Sequence, residues 1–293
     1  MANSARDEWD IISGVGLTAL IVAAGRAVES HRPDRLVDDP WAERFVAAAR
    51  PPKPLPTRPL PASDTSLTAT WQMMSTYMGV RSRLFDETLL AAAEAGAQQV
   101  VILATGLDTR AHRLEWPTGT TVFEIDQPRV LDFKDLVLDR YDASPATDRR
   151  VIRVDLRDDW SGALLEAGFD PSLPSAWLAE GLLAYLPTEA ERDLLSTIDK
   201  LAAPGSRVAV EDFTTLSGQL DDPELVRLSE ELGADMKQLL DTGERTDPGA
   251  WFTDHGWQVQ TQTAAAVADG YGREFDRLTK RFNADSRFVI ARR

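Results

Sequence analysis

Residues 100–110 read VVILATGLDTR. A β-branched run meets a single glycine, Gly106, and gives way to Asp108, Thr109 and Arg110. A buried core has no use for an acid, a hydroxyl and a cation in a row straight after a strand. In an open parallel sheet, ligands sit beyond the carboxyl ends of strands, where the topology changes direction. A glycine at such an end lets backbone N–H groups approach a ligand closely. The segment reads as a strand followed by a ligand-holding turn, with Asp108 supporting the turn and Arg110 paired to an acid across the strand ends.

Outward from that turn the same alternation continues. Short runs at 120–125 (TTVFEI), 149–154 (RRVIRV), 176–180 (AWLAE) and 207–213 (RVAVEDF) are separated by stretches long enough for crossover helices. That pattern describes a parallel sheet covered on both faces. GWQVQTQT at 256–263 and SRFVIARR at 286–293 read as two further strands. Upstream, 13–49 reads as helices, with apolar residues at helical spacing and DPWAERF as a helix opening. PPKPLPTRPLP at 51–61 is too rich in proline for a helix or a central strand and reads as an extended connector rather than a ligand for a proline-reading domain. A long helix follows from Thr68 to Ala95, stopped at Gly96, with Met73, Met74 and Met78 as core filler. The expected organisation is a helical N-terminal cap over 1–95 and an α/β core over 96–293. The acidic, helical stretch 214–247 interrupts that core as a lid or as a solvated helical pair.

Composition narrows the function. The 293 residues carry 32 Lys and Arg against 47 Asp and Glu, a net charge of −15. A surface this negative repels phosphate backbones and anionic lipid, so neither nucleic acid nor membrane is an expected partner. The absence of cysteine excludes disulfides, thiolate metal sites and a Cys nucleophile, and the three separated histidines do not make a metal site. MANSARDEWD lacks the basic start and apolar run of a secretion signal, and LTALIVAAG at 17–25 is too short to span a bilayer, so the cytoplasm is the expected compartment.

The second strand ends in VFEIDQP, placing Asp126 twenty residues after Gly106. An acid at about that distance, at the second strand's end, accepts hydrogen bonds from ribose hydroxyls in nucleotide-binding folds. The alternative is an Asx turn before Pro128. The three-glycine dinucleotide fingerprint is incomplete, since Ala104 stands where its first glycine belongs.

GLDTRAHRL, FEIDQP, VDLRDDW and LAEGLLAYLP, in this order and spacing, resemble a bacterial group of S-adenosylmethionine (SAM)-dependent methyltransferases related to leucine carboxyl methyltransferases. The resemblance extends to GVGLTALIVAAGRAVESHRPDRLVDDPWAERF near the N-terminus. It implies a doubly wound, Rossmann-like seven-stranded sheet of the class I methyltransferase type, its last strand a reversed edge. It implies SAM as cofactor and a small-molecule acceptor methylated on a hydroxyl or carboxylate oxygen. By position it implies that Ala104 and Gly106 line the turn under the methionine half of SAM, Asp126 holds the ribose, and Asp155 with Leu156 holds the adenine. It further implies Arg81, with Arg83 as neighbouring alternative, on the carboxylate, and Glu180 beside the sulfonium and amino group. The family usually has Gly at 104. Asp155 has an alternative role as a helix cap. Arg26 is a further candidate from the cap, Tyr185 a candidate wall of the acceptor pocket, and His112 a bystander; no catalytic residue or metal is assigned. The rival readings are an NAD-dependent oxidoreductase, disfavoured by the single glycine and the lack of a Tyr-x-x-x-Lys pair, and a non-catalytic nucleoside-binding protein of the same fold.

Overall fold

The computed structural model describes residues 11–12, 14–51, 53–61, 66–213 and 218–293. The N-terminal MANSARDEWD, Ser13, Pro52 of the connector, the residues just before the long helix (62–65) and the first four residues of the insertion (214–217) lie outside that set.

Seven strands form one sheet: β1 (Gln99–Leu103), β2 (Thr121–Asp126), β3 (Asp148–Arg153), β4 (Ser175–Ala179), β5 (Arg207–Asp212), β6 (Gln258–Thr263) and β7 (Arg287–Arg292). Their order is β3-β2-β1-β4-β5-β7-β6. The first five pair in parallel, and β7 runs against both β5 and β6. The reversed strand is the last in the chain, as expected, but it is not an edge. The edge is β6, whose QVQTQT leaves most side chains in solvent, whereas Phe288, Val289, Ile290 and Ala291 of β7 are buried on both faces. A strand apolar on both faces has to be interior, and a polar one tolerates the rim.

Alternation along each central strand feeds two cores. Val101, Leu103, Phe123, Trp177 and Val210 face one, and Val100, Ile102, Val122, Leu178 and Ala209 face the other. Each fully buried side chain of this size contributes about 1.5–3 kcal/mol. With β1 between β2 and β4, the chain reverses its winding direction at the C-terminal end of β1. That is where the turn 104–108 lies.

Among the described residues, three helices precede the sheet: α1 (Gly14–Ser30), α2 (Ala42–Ala49) and α3 (Ser66–Glu94). Helix α3 ends just before Gly96, as its sequence predicts. Met73 and Met78 are buried on it, and together with Met74 they also form part of a cavity wall, a role beyond core filling. The proline-rich connector is extended and packs inward through Leu55, while Lys53 Nζ donates to the Glu230 carbonyl of the insertion. In that insertion lie helices Pro223–Leu232 and Met236–Leu239. The first is capped by Asp222, whose carboxylate accepts from Glu224 and Leu225 N–H. Glu231 ties it to α3, accepting from Ser66 Oγ at 2.5 Å and Thr70 Oγ1 at 2.9 Å. Among the described residues no helix is long and apolar enough to cross a membrane.

Candidate active site

The turn after β1 is built for close approach. Ala104 and Gly106 both adopt left-handed backbone, at φ 47° and 51°. For alanine that conformation costs about 1–2 kcal/mol, which the surrounding turn imposes. Asp126, at the end of β2, reaches back to the turn: its carboxylate accepts from Gly106 N at 2.6 Å and from Gln127 N at 2.7 Å. The acid thus shapes the glycine turn; its local bond goes to the N–H of the very next residue and not to the one two residues on that an Asx turn requires, because Pro128 has no N–H to offer. Burial pushes the Asp126 carboxyl up to about 6, against the two backbone N–H bonds that pull it down.

Asp108 and Arg110 play the parts their sequence suggests. Asp108 accepts from Arg110 N at 2.7 Å, and the two side chains pair directly. Burial raises the Asp108 carboxyl, but the cations Arg110, Lys134 and Arg113 and the Arg110 N–H together outweigh it and hold the group at about 2. Arg110 also reaches Glu180, at the end of β4, at 2.7 Å, and Asp86 of α3 at 2.7 Å.

Glu180 continues the chain of charges. Its other oxygen lies 2.7 Å from Arg81 Nε, an ion pair off the N–H direction rather than an aligned hydrogen bond. Burial raises the Glu180 carboxyl, yet Arg110 and Arg81 hold it below the usual carboxylate range. Arg81 in turn donates from Nη1 to both oxygens of Glu211, at 2.9 and 3.1 Å. Glu211, only 1% exposed, also accepts from Tyr77 Oη and Gly181 N, each at 2.7 Å. Glu211 is not among the residues the motifs single out. The signal available was an acid in the buried run RVAVEDF, at the same carboxyl edge of the sheet as Asp126 and Glu180.

Arg81, Ala104, Gly106, Asp126, Asp155, Leu156 and Glu180 all line one cavity of about 530 Å³, a volume in the range of small-molecule sites. Arg26, Asp108 and Tyr185 line it too. Arg26 donates to Asp39 at 2.9 Å and to the Leu107 carbonyl at 2.6 Å, fastening α1 to the turn. Arg83, the alternative to Arg81, points to the surface and pairs with Glu87. His112 lies outside the lining, and burial lowers its imidazole to about 4. Asp155 is not the cap of the following helix: Asp159 is, accepting from Gly162 N at 2.8 Å, while Asp155 pairs with Arg157 at 2.6 Å.

These groups match SAM in kind. Strand-end acids suit the ribose and the adenine amino group, a left-handed turn allows close backbone approach, and a cation flanked by acids suits an amino-acid tail beside a sulfonium. Strand order, reversed β7 and this cavity at the switch point together define a Rossmann-like fold of the class I methyltransferase type.

The sequence pattern of the leucine carboxyl methyltransferase family matches residues 19–199, and the chain belongs to this family. It is 47% identical over 290 residues, 99% of each chain, to a protein of Saccharopolyspora erythraea named "Putative S-adenosyl-L-methionine-dependent methyltransferase". A Rhodococcus jostii protein of the same description is 49% identical over 271 residues, 91% of this chain and 90% of its own. In fold, the chain is similar to a DUF574 family protein of Streptomyces avermitilis, with a TM-score of 0.57 at 16% identity over 94% of this chain and 97% of the other. The oxidoreductase alternative is set aside by this membership.

Proposed function

We propose that the protein transfers a methyl group from SAM to an oxygen of a small-molecule acceptor. The observation that carries this reading is that one cavity joins the polar turn at the strand ends to a largely apolar chamber under α3 and the insertion. A cofactor cradle alone would serve a binding protein; an adjoining chamber gives an acceptor room to sit. When bound, SAM supplies a methyl already activated on a sulfonium, so the protein's task is alignment and exclusion of water.

In this reading Asp126 accepts from the ribose hydroxyls, and Asp155 with the Leu156 backbone and side chain holds the base. Ala104 and Gly106 bring the backbone close to the methionine half. Arg81 meets the tail carboxylate while Glu211 fixes its other face, and Glu180 offsets positive charge. The residues of the described insertion, through Leu225, Leu228 and Leu232, roof the chamber and act as the lid over a cap-and-core arrangement. No described side chain is assigned as a base.

Calorimetry with S-adenosylhomocysteine and NAD tests the cradle. Binding of the first and not the second is expected; tight NAD binding alone reverses the assignment. Asp126→Ala binding S-adenosylhomocysteine as tightly as the parent removes the ribose role.

A further inference from the structure

We propose that Lys134 is a positioning residue for the cofactor: its buried ammonium braces the turn after β1 and keeps Asp126 an acceptor for the ribose. This rests on the ribose role proposed for Asp126 and adds to it the group that sustains that role.

Lys134 stands where its helix asks for a hydrophobe. In PRVLDFKDLVLDR, the helix Pro128–Arg140, the buried positions are Val130, Leu131, Lys134, Val137 and Leu138, one face at helical spacing. Lys134 is fully buried on that face. An ammonium is costly to take out of water, and a leucine or methionine at such a position avoids that cost. Side chains lean toward the N-terminus of their helix, and here that direction leads back to β2 and the turn. Nζ donates to Glu124 Oε2 at 2.8 Å and, at the outer limit of a hydrogen bond, to Thr105 Oγ1 at 3.5 Å.

Glu124 does not explain the lysine. The same Oε2 already accepts from Arg149 Nε at 2.9 Å, and Arg149 reaches Asp135 at 2.8 Å as well. Glu124 would keep a cation without Lys134. Thr105 and Asp126 are the groups that would lose one. Thr105 ties the turn together: its N–H donates to the Ile125 carbonyl at 3.1 Å, and its own carbonyl accepts from Asp108 N at 2.9 Å. For Asp126, burial is the largest influence and raises the carboxyl; the N–H groups of Gly106 and Gln127 pull it down, Lys134 is the cation that joins them, and Asp155 beyond β3 adds to the rise. Asp108 and His112 are the other ionisable groups within reach of the Lys134 charge. Lys134 does not line the cavity, so it acts through Thr105 and Asp126 rather than on the ligand.

The test is calorimetry of the full chain with S-adenosylhomocysteine from about pH 5 to about pH 9, each variant read as a ratio to the parent so that the ligand's own titration cancels. Lys134→Gln can still donate to Glu124 and Thr105 but carries no charge. Its loss of affinity is expected on the acid side alone, at least about fivefold near pH 6 and absent by about pH 8.5, as for a carboxyl displaced upward by about one pH unit. A purely structural role would weaken binding equally at every pH. Because removal of a buried cation can unfold a chain, Glu124→Gln gives an independent reading. It strips the anion from Lys134, and its profile is expected to move the other way, with affinity about twofold or more above the parent's near pH 5. Equal loss at all pH or parent affinity throughout for Lys134→Gln overturns the positioning role. So does a Glu124→Gln profile that stays or moves upward, or a parent that binds without any fall towards acid. Failure of the parent to bind S-adenosylhomocysteine at any pH overturns the methyltransferase reading itself.

Discussion

Glu211 Oε2 accepts from Arg81 Nη1 at 2.9 Å, joining the end of β5 to the middle of α3 inside the cavity wall. The same carboxylate takes Tyr77 Oη and Gly181 N, so three donors depend on one buried acid. Glu211→Ala leaves Arg81 without its aligned partner and two further donors unpaired. Breaking a buried ion pair on one side costs about 3–5 kcal/mol, so the urea midpoint is expected to drop sharply. Glu211→Gln, which keeps the shape, is expected to retain the fold and lose about tenfold in S-adenosylhomocysteine affinity through a misplaced Arg81. Parent-like binding by Glu211→Gln would show that Arg81 needs no such support.

How much of this was legible beforehand follows from where each signal lives. The strands β1 to β5 and the Gly106–Asp126 spacing could be read because buried parallel strands and strand-end acids leave local patterns. Glu211 could not be singled out, since its importance comes from α3 and β5 meeting across more than a hundred residues of chain. The interior place of β7 was also hidden: it depends on a comparison of its apolar FVIA with the polar β6, which pairing, not order along the chain, decides. Asp155 and Asp159 are both plausible caps within VDLRDDW, and only the backbone geometry selects Asp159.

The raised Asp126 carboxyl makes a pH prediction. Its ordinary value is 3.8 and its value in the fold about 6, so the folded protein holds this proton more tightly than the unfolded chain does. The group's contribution to stability is therefore fully present below pH 3.8 and is lost as pH rises through about 6. Ligand binding runs the other way, because ribose hydroxyls need the ionised form as a double acceptor. S-adenosylhomocysteine affinity should fall about tenfold per pH unit below that value, by linkage. Titration calorimetry across that range checks it. Asp126→Asn is expected to bind weakly at every pH and to show no such slope; a slope that survives belongs to another group.

Ala104 and Gly106 predict opposite outcomes from mirror substitutions. Ala104→Gly relieves left-handed strain of about 1–2 kcal/mol and gives back about 0.4–1 kcal/mol in unfolded-chain entropy. The net expectation is a small gain, read as a modest rise in Tm. Gly106→Ala incurs the strain, while its new Cβ would stand 3.4 Å from that of Ala19, an ordinary contact that leaves α1 in place. Its Tm should fall, and S-adenosylhomocysteine binding should weaken by more than the stability loss accounts for, because the new methyl stands in the turn that approaches the ligand.

Arg245 holds the end of the insertion to the loop that carries Tyr185. It donates from Nη1 to the Leu186 carbonyl at 2.8 Å and from Nη2 to the Leu183 carbonyl, and lies 2.9 Å from the fully buried Glu191. Burial raises Glu191 to about 7, more than Arg245 lowers it, so loss of the cation is met by protonation rather than by a stranded charge. Arg245→Met should therefore cost only about 1–3 kcal/mol, chiefly the two carbonyl bonds. Its visible effect should be local: faster proteolytic cleavage within 218–247 and a higher acceptor KM, with S-adenosylhomocysteine affinity unchanged. The Glu191 proton gives a second check. With a free value of 4.5 and a folded value near 7, this group's stability contribution is present below 4.5 and lost as pH rises through about 7. Glu191→Gln should flatten the unfolding free energy over that interval, and an unchanged pH profile would mean that the carboxyl is ionised in the fold and that Arg245 governs it.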